Sequence, residues 1–376
     1  LGKEKPFKTV SFEKESRVYR AKATVLMKKH RSSSKLHRQS PPREPGNERP
    51  SRCTSVRSGY NKLAIFQILV RLTIAALFVS ATAVTAQSVR KEIAITIDDL
   101  PLNGPRFELA RLQTMTSRLL DGIERHHIPV VGFVNESLLY VPGETDARIA
   151  LLKAWADAGV ELGNHTFAHV GLKDTPLAEY EDDFVRGETV TKVIMKQHDR
   201  TPQFFRHPFL QMGATKEIEH SFESFIAARG YRIAPVTIDI MDWMFRVAYV
   251  NARNHGDAAM MKTVASEYLK FASIKFDFCE KVAGELFGRS IKHILLLHAN
   301  ELNADNFDQL VKLIKDRGYV FITLEEALKD PAYGYPDKYQ PVSDWLALWA
   351  SSLGKEFKSP QPADFIQKIY ADSLKP

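Results

Sequence analysis

From Gln87 onward the chain alternates short β-rich apolar runs with longer stretches of helical period, and this rhythm restricts it to a parallel sheet with helical crossovers. The apolar runs predict strands at 93–97, 130–134, 160–162, 203–205, 232–238, 293–297 and 319–322. Helices are predicted at 107–126, 146–158, 178–197, 216–229, 257–287 and 305–316, several of them closed by Gly159, Gly230 or Gly318. Seven such repeats in a stretch of about 250 residues fit a distorted (β/α) barrel with about seven parallel strands, an α/β fold. A doubly wound open sheet is the competing arrangement.

The segment before Gln87 has a different character. Residues 1–60 carry 16 Lys and Arg against 5 Asp and Glu, with few apolar residues in any period, so they are expected to be a disordered basic leader. The chain begins with Leu, and an artefact of gene-start assignment is an equal reading of that leader. Residues 61–86 turn apolar and end in Ala81-Thr82-Ala83-Val84-Thr85-Ala86, the pattern of a signal peptide cleaved after Ala86. A secreted or periplasmic protein is therefore expected, with membrane contact only through an uncleaved leader. The formal charge of +7 lies in this leader; residues 87–376 hold 34 basic and 40 acidic residues, which gives no reason to expect a nucleic-acid partner. The barrel is assigned to 87–330, and 331–376, rich in Pro and aromatics around a helical pattern at 342–353, to an extension packing on its side. Cys53 and Cys279 are the two cysteines, and Cys279, in an amphipathic stretch, is read as a buried structural thiol.

Parallel barrels carry their reactive groups where strands end, so the polar residues directly after the apolar runs are the candidates. They are Asp98-Asp99, His165 with His169, Arg206, Asp239 with Asp242 and Trp243, and His298. Two imidazoles four residues apart share one face of a helical turn, and with a carboxylate on the same rim they make a two-His, one-carboxylate set for a divalent ion. Adjacent residues at a strand end point different ways, so one of Asp98 and Asp99 can bind metal while the other stays free as a base. Arg206, in a loop stiffened by Pro208, suits a bidentate grip on a carboxylate. His298 follows Ile294-Leu295-Leu296-Leu297; as a general acid it needs a carboxylate neighbour, and Asp242 or Asp239 is placed to serve. Trp243 is expected in the wall of the pocket. The remaining histidines of the barrel region, His207 and His293 among them, have no comparable setting.

These five segments resemble the motifs of polysaccharide deacetylases with a NodB-homology domain, carbohydrate esterase family four. Thr96-Ile97-Asp98-Asp99-Leu100 stands where that family has Thr-Phe-Asp-Asp-Gly, and His165-Thr166-Phe167-Ala168-His169 matches His-Ser/Thr-x-x-His. Arg206-His207-Pro208-Phe209 is similar to Arg-x-Pro-Tyr, Asp239-Ile240-Met241-Asp242-Trp243 to Asp-x-x-Asp-Trp, and Leu296-Leu297-His298 to Leu-x-His. The resemblance implies Asp99, His165 and His169 as metal ligands, Asp98 as catalytic base oriented by Arg206, and His298 as catalytic acid partnered by Asp242. Phe209, Trp243 and Leu296 would bind substrate. Leu100-Pro101, Val170 and Ala299 depart from the family's usual Gly-Pro, Pro and Asp, and 244–292 is longer than in compact members.

The implied activity is metal-dependent removal of N-acetyl or O-acetyl groups from a glycan such as chitin-type oligomers, peptidoglycan or xylan, with an acetylated glycan as partner. Zinc is the expected ion, and cobalt, nickel or manganese is compatible with the same donors. An amidase acting on a small molecule or peptide, and a glycan-binding barrel without turnover, are the competing functions.

Overall fold

The computed structural model of the chain describes residues 90–104, 108–336 and 344–375. The expected leader and signal peptide, residues 1–86, lie outside the described residues. Eight strands form one parallel sheet: β1 (Lys91–Leu100), β2 (Val130–Val134), β3 (Glu161–Asn164), β4 (Phe204–Phe205), β5 (Arg232–Ile233), β6 (Ile238–Asp239), β7 (His293–His298) and β8 (Tyr319–Phe321). Their order is β5-β4-β3-β2-β1-β7-β6, and β8 pairs with Lys91–Ile93 at the start of β1. Laid flat, such a ladder would separate β5 from β6 by about 29 Å, at ~4.8 Å per strand spacing. Ile233 and Ile238 are joined by five peptide steps, a reach of at most about 18 Å. The sheet therefore curls into the distorted barrel.

One strand expected at 232–238 is two short ones. Pro235 has no N–H to give to a ladder, and the carbonyls of Ala234 and Pro235 accept instead from the Arg206 guanidinium, at 2.8 and 3.4 Å. The helix expected at 178–197 is likewise divided, into α3 (Leu177–Arg186) and α4 (Thr189–Lys196). The break falls at Gly187, where a Cβ would stand 2.6 Å from the Phe167 nitrogen and 2.7 Å from the Thr166 carbonyl carbon. Only glycine lets the helix pair approach the loop after β3 this closely.

Alternation along β1 sorts its side chains into two environments. Ile93, Ile95 and Ile97 pack outward under α1 (Leu109–His126), α2 (Thr145–Asp157) and the other helices, while Ala94 joins Val131, Phe133, Phe204 and Ile294 in the barrel interior. Two long helices occupy 244–292: α6 (Asp242–Asn254) and α7 (Ala258–Phe287). The remaining helices are α5 (Lys216–Ala227), α8 (Glu301–Asp316), α9 (Leu324–Ala327), α10 (Trp345–Ser352) and α11 (Asp364–Ser373). In the C-terminal extension α10 packs on α7, with Trp349 edge-on to Phe287 at 5.2 Å, and α11 packs on α6. α6, α9 and α11 have no counterpart among the expected helices. Cys279 is buried, and burial pushes its thiol pKa up, as expected of a structural cysteine. Among the described residues no helix is long and apolar enough to cross a membrane.

Candidate active site

Residues at or just beyond the ends of β1, β3, β4, β6 and β7 meet in one cleft of about 500 Å³. Asp98, Asp99, His165, His169, Phe209, Trp243, Leu296 and His298 all line it. Arg206 lies beneath and Asp242 behind, both buried.

Asp98 continues the inward row of β1, and strand alternation would send Asp99 the other way. The backbone at Asp99 is instead left-handed, φ 62°, which brings the second carboxylate back into the cleft. His165 and His169 do not share a helical turn, contrary to the expectation. They stand in an irregular loop in which Thr166 and His169 have φ of 60° and 56°. The loop is held by its neighbours: Asn135 donates to the His165 carbonyl at 2.5 Å, and the Asn164 side chain accepts from the Thr166 N–H at 2.7 Å. Phe209, Leu210 and Met241 add three more left-handed residues beside the cleft. Such conformations are costly for side chains with a Cβ and persist where the surroundings enforce them.

Nε2 of His165 and of His169 lie 3.4 and 3.3 Å from Asp99 Oδ1. One ligand atom from each of the three residues falls within 4.8 Å of the others, the only such set of His, Cys, Asp or Glu among the described residues. Asp99 Oδ1 is buried without a hydrogen-bond partner, while Oδ2 accepts from Asn103 at 2.5 Å. His165 Nδ1 is 2.7 Å from the Arg206 carbonyl, which fixes the tautomer with its Nε2 lone pair toward Asp99. Burial holds the His169 pKa down at about 4, so its imidazole is neutral at pH 7. Burial alone would raise Asp99, but His169, His165 and His298 pull it well below the carboxylate range. Two imidazoles and an ionised carboxylate with an orphaned oxygen are the donor set a divalent cation takes, so these residues fit a metal.

Asp98 is oriented separately. Its Oδ2 is 3.4 Å from Arg206 Nη1, and its Oδ1 is buried without a partner. Arg206 is itself immobilised by the Ala234 and Pro235 carbonyls and by Thr96 Oγ1 at 3.0 Å. Across the cleft His298 Nδ1 bonds Asp242 Oδ1 at 2.8 Å, leaving Nε2 for the cleft. Asp242 also accepts from the His298 N–H and from Asn300 and Asn303. Asp239, the other carboxylate considered, is engaged by the Met241 N–H at 2.7 Å.

Burial would lower the His298 pKa, yet Asp242, followed by Asp99 and Asp98, raises it to about 10. An NMR titration should therefore place wild-type His298 well above its ordinary 6.5. In Asp242→Asn the imidazolium loses its nearest counter-charge and burial dominates, so the midpoint should fall toward or below that value. An unmoved midpoint would mean the pair does not form.

Six residues of the cleft are not among those the sequence singles out, one of them Leu210 beside Phe209. His207 is buried, with Nδ1 3.1 Å from the Tyr180 hydroxyl, and burial holds its pKa at about 3. Asn103 and Arg246 carry local signals, four residues beyond Asp99 and one helical turn beyond Asp242. Asp344 and Tyr370 come from the C-terminal extension, where nothing local marks them.

The family model described as "Polysaccharide deacetylase" matches residues 85–222. A peptidoglycan-N-acetylglucosamine deacetylase of Bacillus cereus is 23% identical over 155 residues, 41% of this chain and 47% of the relative. The chain thus spans about half the length of that curated relative. Among solved structures, the polysaccharide deacetylase Bc1974 from Bacillus cereus aligns with 69% of this chain and 100% of its own at 17% identity, TM-score 0.44. A carbohydrate esterase family four pseudoenzyme from Bacillus anthracis aligns with 64% of this chain and 66% of its own at 16% identity, TM-score 0.44.

Proposed function

Because residues 85–222 belong to the polysaccharide deacetylase family, we propose that this chain is a metal-dependent hydrolase that removes acetyl groups from a glycan, N-acetyl groups first among them. The observation that carries the proposal is the meeting, in one cleft, of the Asp99/His165/His169 donor set with Asp98 and with His298.

A divalent ion held by Asp99, His165 and His169, zinc or a similar borderline metal, would supply Lewis acidity to the acyl carbonyl. Asp98 takes a proton from the attacking water as its oxygen bonds to the acyl carbon. Arg206 fixes the direction of that carboxylate. The backbone N–H at Phe209 donates to the tetrahedral oxygen. His298, charged because Asp242 stands behind it, gives its Nε2 proton to the nitrogen as the carbon–nitrogen bond breaks, and acetate and the free amine leave. Trp243 and Leu296 shape the space beside the acetyl methyl. In an ester substrate the same proton goes to the alcohol oxygen.

The test is acetate release by the purified chain, with and without added divalent metal, from chito-oligomers, peptidoglycan, acetylxylan and small acetamides. Release from a glycan that depends on metal is the expected result. Release from the small acetamides alone would favour an amidase. No release from any substrate, with metal bound, would refute the proposal in favour of a glycan-binding barrel.

A further inference from the structure

One wall of the cleft is built outside the five strand ends. Trp243 and Arg246 come from α6 and Tyr370 from α11, with the Trp243 and Tyr370 rings 5.1 Å apart and edge-on. The Arg246 guanidinium rests against Gly104, φ +126°, where a Cβ would lie 2.2 Å from Nη1; only glycine leaves room for it.

Arg246 forms no hydrogen bond or ion pair with the described residues, and its Nε is buried without a partner. The carboxylates nearest to it are already engaged. Asp242 serves His298, Asn300 and Asn303; Glu301 is clasped by Arg111 and Arg253; Asp99 faces Asn103 and the two histidines. A partly buried guanidinium left unmatched is unfavourable; burial lowers its pKa, and an arginine keeps its charge in a folded protein. Its rigid fork of donors matches a carboxylate. The other carboxylates around the cleft, Asp98, Asp239 and Asp344, disfavour a dianion such as phosphate more than a singly charged group.

We propose that Arg246 selects acetylated sugars that carry a carboxylate close to the acetyl group. The inference rests on the deacetylase reading of the cleft for its substrate class. A uronic acid and a lactyl ether both present such a carboxylate, and binding can be measured apart from turnover.

Calorimetry on the full chain would compare three probes: neutral di-N-acetylchitobiose, the N-acetylglucosamine–N-acetylmuramic acid disaccharide with its lactyl carboxylate, and a hyaluronan disaccharide with its uronic carboxylate. At least one carboxylated probe should bind about tenfold or more tighter than the neutral one, the worth of a charge-assisted pair. Arg246→Gln should bring that ratio close to one, and Arg246→Lys, which keeps the charge but not the fork, should retain part of it. Equal binding of all three probes by the wild type, or an unchanged ratio in Arg246→Gln, would overturn the assignment. Preferential binding without acetate release would uphold Arg246 and refute the deacetylase reading; acetate release with no preference would do the reverse.

Discussion

Metal content and acetate release should be lost together when Asp99 is replaced by Asn, and again in the His165→Ala/His169→Ala double variant. Elemental analysis of the wild type should find one divalent ion per chain, since the described residues contain a single set of converging donors. In Asp99→Asn the ligand becomes an uncharged amide. Affinity should drop by more than about 100-fold, because changes to groups that merely orient a metal ligand cost ~10–100-fold. Removing both imidazoles leaves one carboxylate, which should hold no ion under purification conditions. The fold should survive in each case. The three ligands sit at the end of β1 and in the loop after β3, outside the packed rows formed by Ile93, Ile95 and Ile97 with their helices. Circular dichroism of the metal-free proteins should therefore be the same for wild type and variants. Equal metal in wild type and double variant would remove this site from consideration.

Asp98→Asn should separate from Asp99→Asn by keeping its metal while losing turnover by ~10²–10⁴-fold, the usual worth of a general base. The two carboxylates are neighbours in sequence, yet their surroundings differ. Asp99 Oδ1 faces the Nε2 atoms of both histidines, whereas Asp98 Oδ2 faces Arg206 Nη1 and its Oδ1 has no partner. An amide at position 98 keeps the shape and cannot accept the proton of the attacking water. Metal titration and acetate-release rate on one substrate would be measured for both variants. Loss of metal by Asp98→Asn with retention by Asp99→Asn would reverse the two roles, and full activity in both would place the active site elsewhere.

Much of the fold and of the cleft is legible in the sequence, and what is not has physical causes. The strands at 93–97, 130–134 and 293–297 show there because burial on both faces, or alternation about one of them, is written into neighbouring residues. β4 and β5 are two residues long, and β5 and β6 are parted at Pro235, so no periodic window resolves their bounds. The stretch 178–197 reads as one helix because its apolar spacing is continuous; Gly187 breaks it where the backbone of a distant loop presses against it. The helical turn expected for His165 and His169 follows from their four-residue spacing alone. That loop is bent otherwise by Asn135, Asn164 and the backbone carbonyls they hold.

By itself, then, the sequence determined the alternation of strand and helix, the parallel sheet, and which polar side chains stand at the strand ends, because each is a property of a few adjacent residues. Only the tertiary structure decided how those groups face one another. The curl forced by the short link between β5 and β6 brings residues 98, 165, 209 and 298 to one cleft. The left-handed backbone at Asp99, against the strand's own alternation, and at His169 in the loop after β3 turns their side chains to a common point. Asp242 rather than Asp239 stands behind His298, because the left-handed Met241 starts α6 at residue 242. Arg246 and Tyr370 reach the cleft because α11 packs on α6, a contact between segments more than a hundred residues apart that no local pattern encodes.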